Sequence, residues 1–364
     1  MTSRDAVAER EEKVLGIIET ARAKQAKFRD AHVTMSHGAG GKATQGMIEG
    51  LFVPAFASDS LSALGDAGAV EIDGARLAMS TDSYVVKPII FPGGSIGELA
   101  VNGTVNDLSV AGARPVALSL SLVLEEGLSS EVLRREVEAI SAAARAADVQ
   151  VITGDTKVVE RGHCDEMYVC TTGIGQRDAR AEVSPSALKP GDRVLVSGRV
   201  GDHGTAIMLA RGEFELDADI TSDTMCLWPM VDTLLDQAGP SLRCLRDATR
   251  GGVASVLNEL ARASRVAMVI KEAAVPVHPA VAGAAEILGI DPMHVANEGK
   301  LVAIVAPEAA QAALAALRSM PGGEEAAEIG ECKTEPEGMV LMATAFGGKR
   351  VMDQLVGDPL PRIC

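Results

Sequence analysis

At 364 residues the chain is long enough for two domains, each with a core of its own. Lys and Arg number 34 against 50 Asp and Glu, a net charge of −16, and aromatics are only 2% of the chain; that balance excludes a polyanion-binding surface and a base-stacking platform. With 47% apolar residues the chain is globular, and its core must be built from Ala, Val, Leu, Ile and Met.

Residues 1–33 hold no apolar leader segment, and no later stretch is long and apolar enough to cross a bilayer. The six cysteines (164, 170, 226, 244, 332 and 364) contain no CxxC, which argues against a disulfide framework or a cysteine zinc site. The sequence reads as that of a cytoplasmic protein. Asp5–Phe28 favours a charged surface helix of poor coiled-coil register, because Glu11 and Gln25 stand where apolar residues belong. Residues 1–33 are therefore an appended helix outside the chemistry.

The loop HGAGGK (His37–Lys42) follows. It is no Walker loop, since Ser36 replaces the first glycine and Ala43 the metal-binding hydroxyl. Gly38-x-Gly40-x-x-Ala43 with Asp59 matches a loose dinucleotide fingerprint but lacks a clear preceding strand. The other reading is a mobile lid over phosphates, formed by Gly40, Gly41 and Lys42 with His37 at its flank. Strands are expected at Arg76–Thr81, Val116–Leu124, Val149–Thr153 and Glu166–Ile174, with helices at Ile96–Ala113 and Ser129–Ala147. The segment SPSALKPGD (Ser184–Asp192) marks a boundary between domains 34–185 and 186–355. Beyond it, strands are expected at Arg193–Ser197, Val266–Ile270 and Leu301–Val305. Helices are expected near Asp202–Arg211, Pro229–Gln237, Gly251–Ser264 and Ala306–Ser319.

Five acids stand beside apolar elements, where an unpaired charge is costly: Asp66 in a Gly-rich turn, Asp82 and Asp155 after strand-like runs, Asp107 beside Asn106 on a helix, and Asp247 after RCLR. Asn102 and Asn106 share one helical face. Each acid alone is an ordinary cap or turn residue. Together they suit magnesium and a triphosphate, which need a few carboxylates plus phosphate oxygens. DATRGG (Asp247–Gly252) adds Arg250 and a diglycine at a helix start, an arrangement that favours anions. Lys157 is a phosphate candidate. The chain ends PLPRIC, a proline-stiffened arm (356–364) that can carry the Cys364 thiol into a site.

HGAGGK, TDSYVVKP, FPGG, NGTVNDLSVAGA, ITGDTKVVERG, VSGRVGDHG, LRDATRGGV, NEGKL and the terminal PRIC resemble the HypE family from about His37 to Cys364. GDAGAV, STD, ND and GD are similar to the wider superfamily of aminoimidazole ribonucleotide synthetase and selenophosphate synthetase. The resemblance implies a mixed α/β fold of two αβ domains with ATP between them, and a homodimer formed through the N-terminal sheet. It implies Mg²⁺ and phosphates near Asp66, Asp82, Asp107 and Asp155. It further implies ATP-dependent dehydration of a carbamoyl group on Cys364 to a thiocyanate, as a step of NiFe-hydrogenase maturation. A HypF-type carbamoyltransferase would supply the group, and a HypC–HypD-type scaffold would take the cyanide to iron. Glu298 (in ANEGK) and Lys157 are candidates beside the carbamoyl. A superfamily kinase acting on a free small molecule, and an assembly scaffold with vestigial nucleotide binding, are the competing readings.

Overall fold

The computed structural model describes residues 28–56, 58–212, 219–345, 347–357, 360 and 362–364. The expected helix over Asp5–Phe28 lies outside the described residues except for Phe28. A five-stranded sheet contains β1 (Gly68–Ile72), β2 (Ala75–Tyr84), β3 (Ala113–Glu125), β4 (Gln150–Val159) and β5 (Met167–Arg177), in the order β1-β2-β5-β3-β4. Only β3 and β4 run parallel. A seven-stranded sheet contains β6 (Arg193–Val196), β7 (Leu242–Asp247), β8 (Ala267–Lys271), β9 (Leu301–Val305), β10 (Ala327–Lys333), β11 (Val340–Ala343) and β12 (Lys349–Val351). Its order is β12-β11-β8-β10-β6-β9-β7.

The main helices are α1 (Ile96–Val110), α2 (Ser130–Ala146), α3 (Asp202–Ala210), α4 (Trp228–Ala238), α5 (Gly252–Ser264), α6 (Pro279–Leu288) and α7 (Ala310–Arg318). The second sheet is covered on both faces, which is why LVAIV of β9 is buried at every residue. α5 packs with Val196, Val302 and Ile304 on one face, while α4 and α7 pack with Leu195, Ala303 and Val305 on the other.

The first sheet is covered on one face only. Leu99 and Ala100 of α1 pack with Leu122 and Val169, and Val101 and Val105 with Leu118 and Ile140 of α2. The opposite face leaves Met79, Val116 and Ile174 exposed, and β4 at the sheet edge exposes Val151, Ile152 and Val158. Helix α1 is buried almost all round and also meets β7 and α4 of the second half. Its N-terminus is capped by α2, where the Glu136 carboxylate accepts from the Gly97 N–H at 3.0 Å.

The expected elements are found with small shifts at their ends. Strand β4 runs on to Val159, so Asp155 lies inside it rather than after it, and Asp82 likewise sits within β2. β1, β7, β10, β11, β12 and α6 had no expectation from sequence; their runs are short, and tertiary pairing makes them strands. Among the described residues, 28–34 form no strand, which removes the dinucleotide reading of HGAGGK. No helix among the described residues is long and apolar enough to cross a membrane.

Candidate active site

Three elements bring the acids together. Asp66 ends the turn before β1, Asp107 lies in the last turn of α1, and Asp247 is the last residue of β7. One carboxylate oxygen from each lies within 4.8 Å of the others. Burial, and then mutual repulsion, push Asp107 and Asp247 well above the usual carboxylate range, and burial raises Asp66 to about 6. Arg246 is the main local compensation: its Nε is 3.1 Å from Asp66 Oδ1 and its Nη2 donates to Glu259 at 2.7 Å. Ser80 Oγ donates to Asp107 Oδ2 at 2.5 Å, and Tyr84 Oη and Thr104 Oγ1 donate to Asp82 at 3.2 and 3.3 Å. Gly103 of α1 is required here, because a Cβ would run into the Tyr84 hydroxyl.

A small cavity of about 30 Å³ is lined by Asp82, Tyr84, Asp107, Asp247, Arg250, Glu298 and Cys364, among others. Glu298 is 3% exposed and its Oε1 has no hydrogen-bond partner. Burial first, then Asp247 and Asp223, raise its pKa well above that of an ordinary glutamate. Arg250 sits at the mouth, where negative charge at Cys364 is the largest influence keeping it protonated. On the other side of Asp66 opens a cleft of about 460 Å³, whose lining includes Ser60, Ala67, Val110, Arg177 and Arg246.

The tail is docked in the structure and not extended as an arm. Val85 N–H donates to Cys364 O at 3.0 Å, and Lys87 N–H to Arg362 O at 3.2 Å. Leu360 and Ile363 are buried in the apolar cluster of the first half.

Several expected site residues take other roles. Asp155 and Lys157 are 69% and 71% exposed on the edge strand and pair with each other at 3.7 Å, away from the cavity. Neither face of β4 is covered within one chain, so nothing brings them inward. Asn106 binds main chain instead of ligand: its Nδ2 donates to Met225 O at 2.9 Å and its Oδ1 accepts from Leu227 N at 2.8 Å. Asn102 joins it on the same segment through Thr224, as their shared helical face requires.

His37 is buried as a cap. Its Nδ1 accepts from Thr34 N at 3.0 Å and its Nε2 donates to Asp30 at 3.0 Å, which ties part of the segment 1–33 to the loop. Lys42 pairs with Asp353 at 2.7 Å, and its N–H donates to Leu355 O. Gly40 and Gly41 pack so tightly on the main chain of Arg250 and Leu355 that a Cβ at either would collide. The loop is thus a seam onto the second half that reaches the cavity through Arg250, whose Nη1 donates to Gly38 O at 3.0 Å. The diglycine after Arg250 is dictated by fold: Gly251 and Gly252 have φ of 78° and 61°, and a Cβ on Gly252 would meet the carbonyls of Met293 and Val295.

Sequence reasoning missed Tyr84, Arg246, Asp223 and His203. Arg246, Asp223 and His203 gain their roles from partners far along the chain, and Tyr84 gains its place from packing against Gly103 of α1.

Residues 64–176 match the model of the AIR synthase related protein N-terminal domain, and 189–342 that of its C-terminal domain, together more than half of the chain. The carbamoyl dehydratase HypE of Bradyrhizobium diazoefficiens is 49% identical over 93% of this chain and 97% of its own length. The protein of that name from Escherichia coli K12 is 46% identical over 92% and 99%. A crystal structure of the hydrogenase maturation protein HypE in complex with ATP, 46% identical, superposes with a TM-score of 0.77 over 92% of this chain and 100% of that one. The HypE chain of a HypE–HypF complex, 42% identical, gives 0.81 over 85% and 99%. With relatives of this identity and coverage behind a site that joins clustered carboxylates to a terminal thiol, the chain belongs to the HypE family of carbamoyl dehydratases.

Proposed function

We propose that Cys364 carries a carbamoyl group into the small cavity and that ATP drives its dehydration to a thiocyanate, the source of a cyanide ligand for hydrogenase iron. The observation that carries this reading is the position of the acidic triad. It lies between a cavity sized for one small group, where the chain's own terminal cysteine ends, and a cleft large enough for a nucleoside. A kinase for a free small molecule would need that cavity open, whereas here Cys364 occupies its wall.

The chemistry of the triad supports a metal there. Three crowded carboxylates, Asp247 buried and Asp66 and Asp107 half-buried, all with raised pKa values, favour binding either protons or a hard cation, and oxygen donors suit Mg²⁺. Asp66, Asp107 and Asp247 would hold it with Asp82 alongside, and it would neutralise the charge of the triphosphate. ATP, which one HypE structure contains, would place its base and sugar in the cleft beside Asp66.

The chemistry asks two things of the protein. The carbamoyl oxygen must leave as phosphate, since hydroxide is a poor leaving group, and the nitrogen must lose both protons as the C≡N bond forms. The oxygen attacks the γ-phosphorus, ADP departs, and the C–O bond then breaks to release phosphate. Glu298, in the wall that Cys364 shares, is placed to take a proton from the nitrogen in its ionised form, which a cation on the acidic triad would favour. Arg250 at the mouth balances negative charge near the terminus.

A second copy of the chain would cover the uncovered strand β4 and the bare face of the first sheet, completing a homodimer. Asp155 and Lys157 would then face the partner copy, where they regain a route to phosphate or carbamoyl. To be loaded, the tail must leave its seat and meet a carbamoyltransferase; a HypF-type protein is indicated by the relative solved in complex with one, and a HypC–HypD-type scaffold would accept the cyanide. A working thiol and free cysteines throughout the described residues suit the reducing cytoplasm.

The test is the mass of the C-terminal peptide after incubation with the carbamoyl donor system. Cys364 should gain the carbamoyl mass, then lose one water when ATP is added. Label on another cysteine, or water lost without ATP, overturns the proposal.

A further inference from the structure

Each of the last three residues has a main-chain oxygen that accepts from a named donor. Arg362 O accepts from Lys87 N–H at 3.2 Å and from Arg211 Nη2 at 2.5 Å. Cys364 O accepts from Val85 N–H at 3.0 Å. Between them, Ile363 O accepts from His203 Nε2 at 2.6 Å, and His203 is the one side-chain donor of this set that is fully buried.

The ring's protonation follows from its partners. A carbonyl only accepts, so Nε2 carries the proton. Burial lowers the His203 pKa, so the ring is neutral and Nδ1 is bare. Ser222 Oγ lies 2.8 Å from Nδ1 and must donate to it. The serine is itself fixed, since its N–H donates to Pro92 O at 2.8 Å and its Oγ accepts from Thr224 N–H at 3.2 Å. Phe91 stands edge-on to the imidazole, with centroids 5.6 Å apart, and closes off rotation. The next residue, Asp223, accepts the Glu298 N–H at 3.0 Å, so one short segment supports both the tail's holder and the proposed base.

We infer that His203 is a positioning residue, a latch that seats Cys364 in the cavity by gripping the Ile363 carbonyl, with its tautomer set by Ser222. The catalytic consequence rests on Cys364 being the carrier; the latch itself concerns only where the tail is held. Without the grip, the buried Ile363 carbonyl loses its His203 donor and the buried Ser222 hydroxyl loses the acceptor for its proton, and the seated tail gives way to a released one.

Thiol labelling of the full chain tests this without ATP or a carbamoyl donor, so its outcome is separate from that of the carrier proposal. His203→Phe keeps a ring but offers no donor, while His203→Gln places an amide N–H near the Nε2 position. Alkylation at Cys364, followed by mass spectrometry of the C-terminal peptide, should run about tenfold faster in His203→Phe than in wild type. His203→Gln should stay within a few-fold of wild type, and buried Cys244 and Cys332 should keep their slow labelling in both variants. Unchanged labelling of Cys364 in His203→Phe overturns the latch. So does an equal rise at Cys244 and Cys332, which would mean general loosening. If His203→Phe does not fold, imidazole nitrogen NMR of the native chain decides: a neutral ring protonated at Nε2 supports the latch, and a ring protonated at Nδ1 or at both nitrogens overturns it.

Discussion

Glu298, which is buried, and Asp107, which is half-buried, are acids whose neighbours are mostly other acids, and their behaviour on neutralisation should differ. Asp107→Asn removes one charge from the triad without changing side-chain size. Relief of repulsion should raise the melting temperature of the metal-free protein by a few degrees. Magnesium-dependent ATP turnover should fall by at least the roughly 10–100-fold that loss of an outer-shell partner costs a metal site. Calorimetry and phosphate release measure the two effects, and unaltered turnover would remove Asp107 from the metal set. Glu298→Gln preserves shape but is no base, so nucleotide should still bind while nitrile formation slows by roughly 10²-fold or more. An unchanged rate of cyano-peptide formation would give the proton to another group. Cys364→Ala should retain ATP binding and accept no carbamoyl. An extra residue after Cys364 should impair activity, because it displaces the terminal group that Val85 holds.

At the scale of elements, α1 and the segment 222–227 hold the wall of the site together. Asn102 and Asn106 hold that segment from one side, and Glu298 donates to Asp223 from the other. The four-residue spacing already placed the two asparagines on one face but suggested a ligand for Asn106, because a short polar motif beside an acid reads alike whether it binds main chain or nucleotide. Strand β4 has the opposite character: its exposed Ile152 and Val158 serve no purpose within one chain. Ile152→Asp should leave the monomer's stability within about 0.5 kcal/mol, since the side chain is 63% exposed. Sedimentation velocity should nevertheless show the proposed dimer for the native chain and a monomer for the variant. A dimer that survives this change would mean that another face pairs.

For the whole molecule, the triad couples stability to pH and to cation. The folded chain raises Asp66 from 3.8 to about 6, so it holds a proton that the unfolded chain has released. In the absence of a cation, stability from this group is therefore present at low pH and declines as pH rises from about 4 through about 6. A divalent cation binds the ionised carboxylates and competes with that proton. Magnesium should raise the melting temperature by several degrees near pH 8 and progressively less toward pH 5, followed by scanning calorimetry. Equal shifts at both pH values would place the cation elsewhere.

By itself the sequence determined the alternation of strands and helices, the Pro/Gly turn run at Ser184–Asp192, and a set of acids too costly to bury without a purpose. Those are local properties: hydrophobic period, turn chemistry and the price of an isolated charge. Asp66, Asp107 and Asp247 were legible on that ground, and Cys364 because a terminal thiol on a proline-stiffened arm is unusual. Tertiary structure alone decided which acids meet. Asp155 has the same local signature as Asp82, but β4 pairs with β3 at a sheet edge and leaves it in solvent. His203, Asp223 and Arg246 were invisible for the converse reason, since each acts on a residue between 75 and 180 positions away. Such pairings depend on how two sheets fold against α1, and no short stretch of sequence records that.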